Sequence, residues 1–269
     1  MAFNERAKKS LGQHFLHEHG IVAKIVQAID PQPGDVLVEI GPGRGAITLP
    51  LLDRHGALTA IEFDRDLLAP LAAAAQAHGA LRIVPGDVLE VDFTTLAREL
   101  APADGGPAGK LRLVGNLPYN LSSPILFHAL AHAAVVRDMH FMLQKEVVDR
   151  MAAVPGSKVY GRLSVMLQAA CVVMPLFDVP PGAFRPPPKV DSAVVRLVPR
   201  PSRETGIADA RRFAEVVRAA FGQRRKTLRN ALKGVCSETQ LQAAGIDPQA
   251  RAEQLPVVAF VRLANLPPG

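Results

Sequence analysis

Apolar positions in the first two thirds of the chain alternate between short β-branched runs and longer stretches at helical spacing, as in strands separated by amphipathic helices. The runs predict strands at Val36–Ile40, Leu58–Phe63, Leu81–Val84, Leu111–Val114 and Met139–Leu143. The stretches between them predict helices at Ile21–Ile29, Ala46–Asp53, Asp66–Ala77 and Pro124–Ala134. Such alternation builds an α/β, Rossmann-like sheet of mainly parallel strands with helices on both faces.

After Leu143 the pattern changes. Two further strands are predicted at Ala169–Val173 and Ser192–Val198, separated by a proline-rich loop, Pro180–Lys189, and Pro199 and Pro201 then break the chain. From Asp209 onward Phe213, Val216, Val217, Ala220 and Phe221 recur at helical spacing, and a Gly/Pro-punctuated helical tail follows. The expected organisation is a sheet domain over residues 1–199 and a small helical domain over residues 200–269. Ala101–Gly109, rich in Gly, Pro and Ala, reads as a surface loop, and internal repeats are absent.

A chain of 269 residues, 48% of them hydrophobic, can fill one α/β core and a smaller attached unit. Its apolar stretches are interrupted well before the roughly 18 residues that a membrane span needs. Met1–Ser10 is polar and basic, without the apolar centre of a secretory signal. Cys171 lies in an apolar run and reads as a buried strand thiol; Cys236 is the only other cysteine. These features point to a reducing, cytoplasmic setting. The net charge of +6 is unevenly spread, because Arg185–Lys233 carries 13 Lys or Arg against four acids, leaving the remainder slightly acidic. A basic segment on a near-neutral body favours a polyanionic partner.

The strand Val36–Ile40 runs into Gly41-Pro42-Gly43-Arg44-Gly45, a glycine-rich turn before a helix, where backbone approaches a nucleotide-like ligand closely. Gly41-x-Gly43-x-x-Ala46 also satisfies the dinucleotide fingerprint. Three acids at successive strand ends favour S-adenosylmethionine instead. Glu39 suits the amino group of a methionine moiety, where a pyrophosphate would be repelled. Glu62 suits a ribose diol, and Asp87, with Val88 beside it, suits an adenine amine. Ligands of such sheets bind at this carboxyl edge.

The fourth strand ends in Asn116-Leu117-Pro118-Tyr119. An adenine amine is a poor nucleophile because its lone pair is delocalised into the ring. Carbonyl oxygens of the Asn116 side chain and the Leu117 backbone can accept its two N–H bonds and free that lone pair for in-line attack on a methyl sulfonium. Pro118 stiffens the loop and Tyr119 offers a ring for stacking. Phe184 is the candidate for a second aromatic on the other side of the base.

The segments Lys9–Leu16, Glu39–Gly45, Asn116–Tyr119, Phe184–Ser192 and Phe221–Leu228 together resemble the bacterial small-subunit ribosomal RNA adenine dimethyltransferases, the kasugamycin-resistance family. The resemblance implies four methyl transfers to two adjacent adenines in the 3′-terminal hairpin loop of 16S rRNA, on an immature small subunit. It also implies that His14 and Leu16 close over the cofactor together with Gly41, Glu62, Asp87 and Asn116. His14 stands where some relatives have Asn. His14, His17 and His19 fit no usual zinc spacing, so no metal is expected. Arg224, Arg225, Lys226, Arg229 and Lys233 recur at three- to four-residue steps and predict a basic helix face for RNA phosphates. A monomer is the default. The erythromycin-resistance enzymes of large-subunit rRNA share the catalytic signature and form the nearest alternative; a non-catalytic assembly factor is the alternative from another class.

Overall fold

A computed structural model describes residues 13–101 and 109–267. The expectations for Met1–Ser10, for Lys9–Gly12 of the first motif and for most of the Ala101–Gly109 loop lie outside the described residues. The chain divides into two compact units, one comprising 1–145 and 174–199, the other 146–173 and 200–269.

In the first unit the chain order is β1 (Phe15–Leu16), α1 (His19–Ile29), β2 (Val36–Ile40), α2 (Thr48–His55), β3 (Ala57–Glu62), α3 (Arg65–Ala75), β4 (Ala80–Pro85), α4 (Phe93–Glu99), β5 (Leu111–Asn116), α5 (Ser122–Ala131) and β6 (Val136–Gln144). After α6 (Lys145–Ala152) and α7 (Arg162–Ala170) come β7 (Cys171–Val179), β8 (Phe184–Arg185), which pairs with β1 in a separate two-stranded sheet, and β9 (Ser192–Pro199). Among the described residues seven strands form one sheet in the order β4-β3-β2-β5-β6-β9-β7. The pairings from β4 through β6 are parallel, and β9 runs antiparallel to β6. The order reverses direction between β2 and β5, the point at which open α/β sheets hold their ligands.

Each element follows from local chemistry. The carboxylate of Glu18 accepts from the backbone N–H groups of Gly20 at 3.1 Å and Ile21 at 2.6 Å, capping α1. Asp64 caps α3 by accepting from Asp66 N at 3.2 Å, and Leu67, Leu71 and Ala75 turn its apolar stripe inward. The central strands are buried on both faces: Val38, Leu113, Val114, Phe141 and Val195 all have 0% exposure, which is why they read as continuous apolar runs.

Buried charged residues interrupt these apolar runs, Arg112 and Asp138 among them. Arg112 of β5 donates from Nε to Asp138 at 2.9 Å, from Nη1 to Asp35 at 2.6 Å, and from Nη2 to the Ile29 carbonyl at 2.6 Å. A guanidinium with so many partners offsets the cost of its desolvation. At the other end of β5, a Cβ on Gly115 would collide with the main-chain carbonyl of Ile40, so only glycine lets β5 lie that close to β2.

The second unit buries Tyr160, Val165, Phe213, Val216, Val217, Leu228, Leu241, Phe260 and Leu263 in its own core. Its C-terminal elements are α8 (Ser202–Thr205), α9 (Ala210–Phe221), α10 (Leu228–Ala231), α11 (Glu238–Ala243) and α12 (Val257–Ala264). The expected boundary at residue 200 is corrected in one respect. Tyr160, Val165 and Ala169 pack in the same cluster as Phe213 and Phe260, so 146–173 belongs with 200–269. The strand predicted at Ala169–Val173 is also shifted: α7 continues to Ala170 and β7 begins at Cys171. Cys171 itself is 1% exposed, and burial pushes its thiol up to about 12.

Candidate active site

The carboxyl ends of β2, β3, β4 and β5 open onto a cleft of about 350 Å³, within the usual range for a small-molecule site. Its walls include His14, Leu16, Glu39, Gly41, Gly43, Glu62, Asp87, Val88, Asn116, Leu117, Pro118 and Tyr119. All the expected cofactor-binding positions, and four of the five expected catalytic ones, therefore meet in one place.

The turn after β2 takes its shape from glycine. Gly43 has φ +57, and a Cβ there would stand 3.3 Å from the Phe15 ring, so a larger residue is disfavoured by both conformation and space. The Gly43 N–H donates to Glu62 at 3.0 Å and the Asp64 N–H donates to the other Glu62 oxygen at 2.8 Å. Glu62 is thus fixed at the tip of β3. Burial raises its pKa, and the backbone donors of Asp64, Gly43 and Phe63 oppose that rise. Glu39 is 1% exposed, and burial raises its carboxyl to about 7 against the bond from the Thr48 hydroxyl at 2.6 Å. Asp87 accepts from Leu89 N at 2.9 Å and starts a short turn in which Val88 is buried.

These groups fit the expected cofactor. A nearly dehydrated Glu39 carboxyl favours a cationic neighbour such as an amino group. Glu62 keeps lone pairs beyond its backbone donors for ribose hydroxyls, and Asp87 and Val88 offer a carboxylate and an apolar surface at the next strand end.

Asn116 ends β5. Its side-chain Nδ2 donates to the main-chain carbonyl of His14 at 3.0 Å. The Leu117 N–H donates to Met142 O at 3.1 Å, and Pro118 O accepts from Leu121 N at 3.0 Å, so the signature is a fixed turn. The Tyr119 hydroxyl lies 2.7 Å from Ser192 Oγ, and Ser192 has 0% exposure.

Phe184 is placed differently from the expectation. It is 2% exposed, opposite Leu16 in the antiparallel pair of β8 with β1, and packed in the core. It does not line the cleft. The ring that faces Tyr119 is His14, stacked at 5.6 Å between centroids and 26° between planes.

The residues not anticipated act mainly as supports. Gln13 Nε2 donates to Asp64 at 2.8 Å, and the Arg44 guanidinium lies 4.3 Å from the centre of the Phe15 ring. Phe63 lines the cleft while 59% exposed. An aromatic directly after the strand-end acid Glu62 is the one sequence signal that could have revealed it.

In the second unit the five basic residues do not share a helix. α9 ends at Phe221 with Gly222 as its cap, and Arg224, Arg225 and Lys226 occupy the turn before α10. Arg229 lies on α10 and Lys233 follows it; all five are exposed. Arg224 donates to Lys158 O at 2.6 Å and to Glu253 at 3.2 Å, which pins the turn. Among the described residues no group of His, Cys, Asp and Glu has the arrangement of a metal site, and no helix is long and apolar enough to cross a membrane.

Residues 4–267 match the family described as ribosomal RNA adenine dimethylase. The chain belongs to this family. It is 69% identical over 267 residues to the ribosomal RNA small subunit methyltransferase A of Xanthomonas oryzae pv. oryzae strain PXO99A, covering 99% of this chain and 98% of the relative. The protein of the same name from Xanthomonas campestris pv. campestris strain B100 is 69% identical over 265 residues, with 98% of each covered. Among solved structures, a dimethyladenosine transferase from Plasmodium falciparum superposes with a TM-score of 0.78 at 25% identity, covering 93% of this chain and 96% of that one. The 23S rRNA methyltransferase ErmE shares the fold, with a TM-score of 0.67 at 24% identity over 93% of this chain and 98% of its own. This member of the adenine dimethylase family is an rRNA methyltransferase that uses S-adenosylmethionine.

Proposed function

We propose that this protein dimethylates N6 of two adjacent adenines in the 3′-terminal hairpin loop of small-subunit (16S) rRNA, acting as a cytoplasmic monomer on the immature small subunit. The observation that carries the reading is the placement of Asn116-Leu117-Pro118-Tyr119 in the same cleft as Glu39, Glu62 and Asp87. An acceptor for an amine and a set of anchors for a nucleoside thereby share one site.

When bound, the cofactor supplies an electrophilic methyl group on a sulfonium. Glu39 holds the methionine amine, Glu62 the ribose, and Asp87 with Val88 the adenine ring. Gly41 and Gly43 let the backbone approach, and Leu16 and the main chain at His14 cover the cleft from the N-terminal side. The target base lies against Tyr119, and the carbonyl oxygens of Asn116 and Leu117 accept hydrogen bonds from its amine. The nitrogen lone pair is then directed at the methyl group, and the fixed turn supplies orientation where no strong base is needed. Arg224, Arg225, Lys226, Arg229 and Lys233 provide phosphate contacts on the second unit.

The test is methyl transfer from labelled S-adenosylmethionine to immature small subunits lacking the modification, with large subunits in parallel and dimethyladenosine mapped afterwards. Label on two adjacent adenines of the small-subunit rRNA is expected. Label confined to large subunits would overturn the substrate, and binding without label would leave an assembly role alone.

A further inference from the structure

The amide of Asn116 has an accepting end and a donating end, and only the accepting end can take a hydrogen bond from an amine N–H. Its direction in the cleft is set by one partner. Nδ2 donates to the main-chain carbonyl of His14 at 3.0 Å. A main-chain carbonyl can only accept, so the partner itself excludes the flipped amide. Oδ1 is left as the end available to substrate.

The carbonyl of His14 is in turn held from several sides. The imidazole Nδ1 lies 2.8 Å from Pro186 O and must donate to it, because that oxygen only accepts. The ring stacks on Tyr119 at 5.6 Å. Before it, Gln13 Nε2 donates to Asp64 at 2.8 Å; after it, Phe15 and Leu16 pair with Arg185 and Phe184. A span that crosses between the cofactor acids and the acceptor turn thus ends on the atom that orients Asn116.

We propose that His14 is a positioning residue for methyl transfer, acting through the Asn116 amide: the imidazole anchors the main chain whose carbonyl aims Oδ1 at the acceptor amine. The inference rests on the adenine-methylating reading above. It assigns the side chain to the acceptor half of the site, where family resemblance assigns the position to the cofactor.

Three variants and two readouts test it. His14→Ala keeps the carbonyl but loses the two anchors that the imidazole supplies, the bond to Pro186 O and the stack on Tyr119. It should lower kcat roughly ten- to hundred-fold, the scale of a small misplacement, with cofactor Kd and rRNA KM within about twofold of wild type, as an effect confined to orientation requires. His14→Asn, which can still donate to Pro186 O, should recover most of the rate; His14→Phe, which can only stack, should not. Independently of any substrate, the Asn116 side-chain amide signals in a ¹⁵N-labelled protein, identified by their loss in Asn116→Ala, should shift or broaden in His14→Ala and return in His14→Asn. Unchanged amide signals, or a weakened cofactor Kd at unchanged kcat, would overturn the proposal. Wild-type protein that fails to methylate small-subunit rRNA would sink the substrate reading alone, and the amide signals would still decide the role of His14.

Discussion

The Thr48 hydroxyl donates to the Glu39 carboxylate at 2.6 Å, joining the first turn of α2 to the end of β2 beneath the cofactor cleft. This single bond does not offset burial, which raises the Glu39 carboxyl to about 7 from an ordinary value of 4.5. Between those values the folded state retains a proton that the unfolded chain has lost. Stability is therefore full below about pH 4.5, falls as pH rises towards 7 and then levels. The total loss is about 3 kcal/mol, because each pH unit across that window is worth 1.4 kcal/mol. Glu39→Gln should abolish that fall in denaturant melts run at pH 5 and pH 8. An amino group beside Glu39 favours the carboxylate, so cofactor affinity should increase up to about pH 7 in wild type and lose that dependence in Glu39→Gln. Calorimetry in buffers of different ionisation heat should show proton release on binding.

Tyr119 has two separable parts. Tyr119→Phe keeps the ring but leaves the fully buried Ser192 hydroxyl without its partner, which should cost about 1–3 kcal/mol of stability. Methyl transfer should survive within a few-fold. Tyr119→Ala removes the stacking surface, and kcat/KM for rRNA should fall roughly five- to hundred-fold, since stacking of a base on an aromatic is worth about 1–3 kcal/mol. Equal loss of activity in both variants would show that the hydroxyl, not the ring, is what matters.

Arg112 offers a test of the fold alone. Arg112→Met leaves Asp138, which is 0% exposed, and the buried side chain of Asp35 without their central cation, and should cost about 3–5 kcal/mol. Burial raises the Asp138 pKa, but bonds from Arg112 and Arg196 with nearby positive charge reverse the sign, so the net pKa is depressed below 3.8. The corresponding stability is present above that pH and lost as pH falls through the folded value. The penalty of Arg112→Met, measured in urea, should therefore shrink on acidification.

For the basic turn the discriminating residues are Arg225 and Lys226, because Arg224 also ties the turn to Lys158 and Glu253. Substituting both by Ala should weaken binding to small subunits and reduce the slope of log affinity against log salt by roughly 0.7–0.9 for each lost phosphate contact. Cofactor affinity should not move. An unchanged salt slope would remove these two side chains from the RNA surface.

What the sequence reveals here follows the reach of each signal. The strands β2, β3, β5 and β6 are legible because their residues are largely buried on both faces, whereas the edge strand β4 is half-exposed and shows only as a short apolar run; the acids at the strand ends stand out against that background. Gly222 shows the limit of spacing arguments. Arg225, Arg229 and Lys233 fall at helical steps, yet Gly222 closes α9 and Thr227 is extended, at φ −68 and ψ 157, before α10 begins. Phe184 shows another limit: its neighbour Leu16 lies far away along the chain, and no local pattern announces that pairing. The helix α7 is hidden in the same way, since Val165 and Ala169 serve the core of the second unit.

The missing side chain at Gly115 has a reach beyond packing. Gly115 immediately precedes Asn116, and Ile40, whose carbonyl it touches, immediately precedes Gly41. The turn after β2 and the turn after β5 are thus set side by side by backbone meeting backbone. The distance between the two turns that border the cleft is therefore a property of the main chain, set by the weave of the sheet before any side chain is chosen.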